Sequence, residues 1–106
     1  MKNNKSHQSE FKSFEPESQV FKVLANSKRL QIIFLLQNQK LSVGEMTRIL
    51  GLPQANISQH LMILRKVNLL STQKNGRRVD YHLTHPKLLE FISLLTQLLI
   101  PDNSHK

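Results

Sequence analysis

Start and stop signals for two short helices lie close together in the middle of this chain. Ser42-Val43-Gly44-Glu45 matches a capping box. In this motif the serine and glutamate side chains accept hydrogen bonds from backbone N–H groups that have no partner within the helix. The helix should end at Gly51, because glycine tolerates the left-handed backbone that closes many helices. Pro53 suits the opening of a second helix, where its missing N–H leaves nothing unpaired, and that helix should end near Asn68. The pattern predicts a helix-turn-helix.

A β-hairpin is predicted directly after the second helix. Asn75-Gly76 is typical of a type I′ turn, and residues 78–83 alternate between polar and apolar side chains. The alternation predicts a strand with one apolar face and one solvated polar face, the latter carrying Arg78, Asp80 and His82. Asp80 and His82 could instead begin a metal site, although two ligands do not complete one.

Apolar residues at helical spacing predict two helices before this unit and one after it. Between Leu88 and Ile100, nine of thirteen residues are Leu, Ile or Phe. A surface helix needs only one apolar stripe, so this helix must be covered on more than one side. A chain of 106 residues has little to cover it with, which indicates a homodimer interface. The helix could alternatively fill the core of its own chain or accept a helix from another protein.

These elements together predict a mainly α fold with a β-hairpin wing, a winged helix-turn-helix in the order α-α-α-α-β-β-α. The length suits a single domain, and the sequence contains no internal repeat. Composition divides the chain into a flexible polar arm (1–16), a winged-helix DNA-binding and dimerisation domain (17–100) and a short tail (101–106).

The charge distribution indicates double-stranded DNA as the partner. The formal net charge is +8, and no Asp or Glu occurs between Leu50 and Val79. Carboxylates there would repel phosphate, whereas Asn and Gln side chains can read adenine edges in the major groove. The predicted DNA contacts are Gln54, Asn56, Ser58, Gln59 and His60 on the second helix, Arg65 beyond them, and Lys74, Arg77 and Arg78 at the hairpin tip. His60 could instead be a packed histidine, and the two tip arginines could be solvated charge.

Other classes of function find little support in the sequence. The absence of cysteine excludes disulfides, thiolate metal sites and cysteine nucleophiles, and no nucleophile with a base and an orienting group is visible, so we expect no enzyme and no cofactor. No apolar run approaches the roughly 18 residues that span a bilayer, so we expect a cytoplasmic protein without a membrane partner. A winged-helix protein-interaction module and a non-specific DNA-associating protein remain as alternatives.

Three segments resemble the ArsR/SmtB family of bacterial repressors. Residues 20–30 (VFKVLANSKRL) are similar to the opening box of that family, residues 57–61 (ISQHL) to the core of its recognition helix, and residues 75–83 (NGRRVDYHL) to its wing. The three segments follow one another in the order that the family has. The resemblance implies a winged-helix homodimer, built on the first and last helices, that binds palindromic operators and represses transcription.

The resemblance also implies roles for individual residues. It places DNA contacts on Gln54, Ala55, Asn56, Ser58, Gln59 and His60, with the wing at Arg77 and Arg78. It implies a dimer interface that comprises Val20, Phe21, Leu24, Leu88, Phe91, Ile92, Leu95, Leu98 and Leu99. Metal sensors of the family carry Cys-x-Cys where this chain has Ser42-Val43-Gly44, and imidazoles on the last helix where it has Lys87 and Leu98, so no metal site is expected. The residues identify no effector.

Overall fold

Five helices and one two-stranded antiparallel sheet make up residues 12–100, the part of the chain that the computed structural model describes. The helices are α1 (Glu15–Leu24), α2 (Ser27–Leu35), α3 (Val43–Leu50), α4 (Gln54–Lys66) and α5 (Leu88–Leu99), and the strands are β1 (Leu70–Asn75) and β2 (Arg78–Leu83). This order confirms the predicted winged helix-turn-helix. Helix α1 begins two residues inside the predicted arm, while residues 1–11 of that arm and the predicted tail lie outside the described residues.

The local signals around the helix-turn-helix act as predicted. Ser42 Oγ accepts from the Glu45 amide at 3.2 Å, and Glu45 Oε1 accepts from the Ser42 amide at 3.0 Å, which completes the capping box. Gly51 ends α3 in the left-handed region with φ +66°, and Pro53 precedes the first residue of α4. Asn68 follows α4 with the same left-handed φ of +66°. The ends of α3 and α4 therefore coincide with backbone signals that lie within a few residues of the turn.

The hairpin turn lies one residue later than the sequence predicts. Asn75 pairs with Arg78, so the two residues of the turn are Gly76 and Arg77, and the prediction of a type I′ turn on Asn75-Gly76 is wrong. Only Gly76 has a positive φ, of +63°, whereas a type I′ turn needs two. The observed register pairs Leu70 with Leu83, which are both buried, and this pairing decides the position of the turn.

The polar face predicted for strand β2 is exposed only at Arg78. Asp80 is only 7% exposed, less than the half-buried Val79 and Tyr81, so the prediction of a simple alternation is wrong there. The backbone of Tyr81 forms a two-way bridge with Leu41, which ties the loop before α3 to the wing. Segments on both sides therefore cover this strand.

The core lies between α2, α3, α4 and the sheet. Its fully buried side chains are Ile32, Ile33, Met46, Ile57, Leu61 and Leu64. Three of them belong to α4 and recur at intervals of three and four residues, so one face of α4 packs inward and the opposite face stays in solvent.

No residue of helix α5 is fully buried by its own chain, although Leu88 and Leu89 at its start pack partly against the core. Phe91 is 54% exposed and Leu98 is 74% exposed, and Leu94, Leu99 and Ile100 are exposed as well. Its apolar residues thus leave a large surface uncovered in the single chain. No helix within residues 12–100 combines the length and the apolar character that a membrane crossing requires.

Candidate nucleic-acid interface

The solvent-facing side of α4 carries a row of exposed, mainly polar side chains. Gln54, Ala55, Asn56, Ser58 and Gln59 are all exposed, because the buried residues of α4 hold the opposite face against the core. The structure therefore brings these predicted contacts together on one surface, in the first two turns of a helix. Amide and hydroxyl groups on an exposed helix of this kind can hydrogen-bond to base edges in the major groove.

A groove separates the far end of this row from the wing. It is lined by Ser58, Met62, Arg65, Lys66 and Tyr81. Ser58 and Arg65 are among the DNA contacts predicted from the sequence. Lys66 is the cation that follows Arg65 in the sequence, and Met62 and Tyr81 were not predicted. The spacing of four residues from Ser58 to Met62 and Lys66 was a visible signal for one helix stripe. The approach of Tyr81 to that stripe depends on how the sheet packs, so the sequence offered no signal for it.

His60 is packed within the protein. Its Nδ1 accepts a hydrogen bond from Arg29 Nε at 3.3 Å, and Arg29 also donates from Nη1 to the carbonyl oxygen of Val23 at 3.0 Å. The side chain of His60 is half-buried. Of the two roles that the sequence allows for His60, a DNA contact or a packed histidine, this geometry agrees with the packed histidine. Arg29 thus connects α4 to the junction of α1 and α2.

Burial, and secondly the positive charge of Arg29, lower the pKa of His60 below its ordinary value. The unfolded chain therefore binds the proton more readily than the folded one. The contribution of neutral His60 to stability is complete above the unfolded pKa of about 6.5, and it is lost as pH falls through the lowered folded pKa. His60→Asn should lessen this loss, because an amide oxygen can accept from Arg29 without titrating.

Urea unfolding of the wild type and of His60→Asn at pH 7.5 and pH 5.5 measures the effect. We expect the wild type to lose more stability than the variant between the two pH values. An equal loss in both proteins would show that His60 does not couple folding to protons in this range.

The wing tip carries three cationic side chains, which differ in whether they form ion pairs within the protein. Lys74 and Arg77 are exposed, and neither forms an ion pair with a carboxylate among residues 12–100. Arg78 donates from Nε to Asp80 Oδ1 at 2.6 Å and pairs through Nη2 with Glu45 Oε1. The predicted phosphate contact of Arg78 therefore competes with two carboxylates of the protein itself.

The ionisation of Glu45 and Arg78 follows from their hydrogen bonds. The Ser42 amide, followed by the charge of Arg78, lowers the pKa of Glu45, while burial opposes the shift. The hydrogen bond to Asp80, followed by the charges of Asp80 and Glu45, raises the pKa of Arg78. Both side chains are thus in their charged forms at neutral pH.

Metal ligands do not gather on this surface. Within residues 12–100, no three His, Cys, Asp or Glu side chains come close enough to hold a metal ion. The two carboxylate oxygens of Asp80 accept hydrogen bonds from Arg78 and Asn75. This pairing argues against the alternative in which Asp80 and His82 begin a metal site.

Comparison with known proteins agrees with this geometry. The profile described as "Bacterial regulatory protein, arsR family" matches residues 26–72, from the N-cap of α2 into β1. The transcriptional activator HlyU of Vibrio cholerae is 39% identical over 84 residues, which are 79% of this chain and 78% of that relative. The transcriptional repressor PagR of Bacillus anthracis is 33% identical over 93 residues, which are 87% of this chain and 93% of that relative.

A solved structure is similar over the same region. The homodimeric winged helix-turn-helix DNA-binding domain Mb0332 of Mycobacterium bovis, described as a possible ArsR-family transcriptional regulator, matches with a TM-score of 0.72 and 25% identity. The match covers 80% of this chain and 79% of that one. The chain therefore belongs to the ArsR family of bacterial regulatory proteins.

Proposed function

We propose that this protein is a dimeric transcriptional repressor that binds a palindromic operator. Helix α4 enters the major groove, and the wing lies on the flanking backbone. The observation that carries the proposal is the exposed polar row on α4, since Asn56 and Gln59 stand in solvent on a helix whose other face is anchored in the core. Side-chain amides held on a rigid helix suit base-edge recognition.

The surroundings of that row suit a phosphate backbone. Between Leu50 and Val79 the sequence contains no carboxylate, so nothing on α4 or β1 repels phosphate. The groove beside α4 adds the cations Arg65 and Lys66 and the hydroxyl groups of Ser58 and Tyr81. We assign this groove to one strand of the backbone, with Lys74 and Arg77 contacting phosphates further along.

Two copies of the chain supply the symmetry that a palindrome requires. The exposed apolar face of α5 includes Phe91 and Leu98 of the predicted interface, and Leu94 adds to it. The predicted α1 residues contribute Phe21, which is half exposed in the single chain. The homodimeric state of the Mb0332 domain supports the same arrangement. A two-fold dimer presents two reading helices to two half-sites of opposite orientation.

Repression needs only specific occupation of promoter DNA, which the proposed interface provides. PagR is named a repressor, and HlyU is named an activator. The activator name favours a second candidate, activation by displacing another DNA-binding protein. Both candidates use the same surface of α4 and the wing, and both operate without the family's common metal sites.

The wing assignment predicts a change in the salt dependence of DNA binding. Replacing both Lys74 and Arg77 by alanine should flatten the plot of log affinity against log salt by about 0.9 for each phosphate that the variant no longer neutralises. Fluorescence anisotropy on one duplex at four salt concentrations gives the slope. Lys22→Ala, a charge removal on α1 outside the helix-turn-helix and the wing, serves as the control and should leave the slope unchanged. An unchanged slope in the double variant would remove the wing tip from the interface.

A further inference from the structure

Arg78 joins the wing to helix α3 through two carboxylates. Its Nε donates to Asp80 on β2 at 2.6 Å, and its Nη2 pairs with Glu45 in the first turn of α3. Glu45 and Arg78 lie 33 residues apart in the chain. One guanidinium thus connects the hairpin to the helix that precedes the recognition helix, and α3 is the helix that packs most closely against α4.

Both carboxylates are held in place by other groups as well. Glu45 Oε1 accepts from the Ser42 amide at 3.0 Å as part of the capping box. Asp80 Oδ2 accepts from Asn75 Nδ2 at 3.1 Å, and Asp80 is buried. The guanidinium of an arginine presents N–H donors at fixed spacing in one plane to two such acceptors, whereas the ammonium of a lysine is a point charge on a flexible stem. The contact therefore constrains the angle between the wing and α3.

The two carboxylates lie within a long segment of the chain that is otherwise free of acidic residues. Between residues 18 and 89 the sequence contains eleven Lys and Arg but only two acidic residues, and these are Glu45 and Asp80. If either faced DNA unpaired, it would repel the phosphate backbone. Arg78 pairs with both and leaves the remaining cations of this segment unopposed.

We propose that Arg78 is a positioning residue for DNA binding and not a phosphate contact. It sets the angle of the wing against α3, and it neutralises the carboxylates of Glu45 on α3 and Asp80 on β2. The phosphate contacts of the tip then belong to Lys74 and Arg77. The inference rests on the proposed DNA-binding function. The contacts of Arg78 with Glu45 and Asp80, which we call the clamp, exist in the free protein and can be tested there.

Glu45→Gln tests the clamp without DNA. Glutamine also serves at this position of a capping box, so the start of α3 is kept while the charge that holds Arg78 is removed. We expect the NMR order parameters of the Gly76 and Arg77 backbone amides to fall from about 0.85 in the wild type to below about 0.6. Arg78→Lys should have the same effect, because it keeps the charge and removes the fork.

Arg77→Lys is the matched control for these order parameters. It makes the same chemical change at the neighbouring position, which has no carboxylate partner among the described residues. We expect the tip of this variant to stay as ordered as in the wild type. Wild-type order in both Glu45→Gln and Arg78→Lys would overturn the proposal.

Binding to DNA separates the two roles of Arg78. The probes are a duplex from upstream of the protein's own gene and a scrambled duplex of the same composition. We expect Glu45→Gln and Arg78→Lys each to weaken binding to the upstream duplex by about five-fold or more, with the salt slope nearly unchanged. A phosphate contact predicts the opposite: Glu45→Gln would free Arg78 and tighten binding to both duplexes, and Arg78→Lys would bind like the wild type.

The proposed function and the clamp fail in distinguishable ways. If the wild type binds the two duplexes equally, the sequence-specific function proposed for α4 is contradicted, while the order parameters still decide whether Arg78 holds the wing. If the wild type is selective and the wing stays ordered in both clamp variants, the positioning role is refuted and the DNA-binding function stands.

Discussion

Replacing Leu98 by aspartate is expected to convert the protein from a dimer to a folded monomer. Leu98 is 74% exposed in the single chain, so the substitution removes little from the monomer's own packing. In the proposed dimer it would bury an unpaired carboxylate in an apolar interface, which is strongly unfavourable. Sedimentation equilibrium or light scattering at micromolar concentration measures the change in mass, and circular dichroism confirms that the helices remain.

Disruption of the dimer should also weaken operator binding by about 100-fold or more, because two linked reading helices bind far more tightly than one. Gln97→Asp is the matched control, since it introduces the same charge at the neighbouring exposed position of α5. We expect this control to stay dimeric. A Leu98→Asp protein that remains a dimer would place the interface on another surface.

Replacing Asn56 and Gln59 by alanine is expected to relax the base preference of the protein. Each bidentate pair between a side-chain amide and a base supplies about 1–3 kcal/mol of discrimination against the wrong sequence, and alanine removes it. Binding to a scrambled duplex should change little, because interactions with phosphate supply most of the non-specific affinity. The measurement is the ratio of affinities for the operator and the scrambled duplex in each variant.

Gln31→Ala provides the control for this pair, since it removes an exposed glutamine from a different helix, α2. We expect it to leave the affinity ratio at the wild-type value. Undiminished selectivity in the Asn56→Ala, Gln59→Ala double variant would show that α4 is not the reading helix.

The helices around the turn could be predicted from the sequence because their signals are local. The capping box spans four residues, and Gly51 and Pro53 act on the backbone beside them. The periodicity of the apolar residues then assigns one face of α4 to the core and leaves the polar row outside. Signals of this kind act within a few residues, so they can be interpreted without information on how distant segments pack.

The contacts that shape the site could not be predicted in this way. Arg29 and His60 lie 31 residues apart, and their hydrogen bond depends on how α2 packs against α4. The same is true of Arg78 and Glu45, whose pairing requires the hairpin to fold back against α3. The alternation on β2 suggested a solvated Asp80, whereas tertiary packing buries it beside Arg78. Side-chain partners of this kind emerge only when the elements are assembled.

The position of the hairpin turn also depends on tertiary packing and not on the local sequence signal alone. Asn75-Gly76 is a strong local signal, yet the pairing of Leu70 with Leu83 moves the turn to Gly76-Arg77. Both leucines are buried, and a turn on Asn75-Gly76 would instead pair Leu70 with Tyr81 and separate the two leucines along the ladder. Hydrophobic burial at the base of the hairpin thus outweighs the preference of its tip, and it places Arg77 at the turn and Arg78 in the strand.

Sequence-specific DNA binding is tested most directly by fluorescence anisotropy of the wild-type protein. The duplexes are DNA from upstream of its own gene and a scrambled sequence, each at two salt concentrations. We predict at least about a hundredfold preference for the upstream duplex that persists at the higher salt, because base contacts do not depend on counterion release. Equal and steeply salt-dependent binding to both duplexes would contradict the account, and it would leave the basic surface with general DNA association alone.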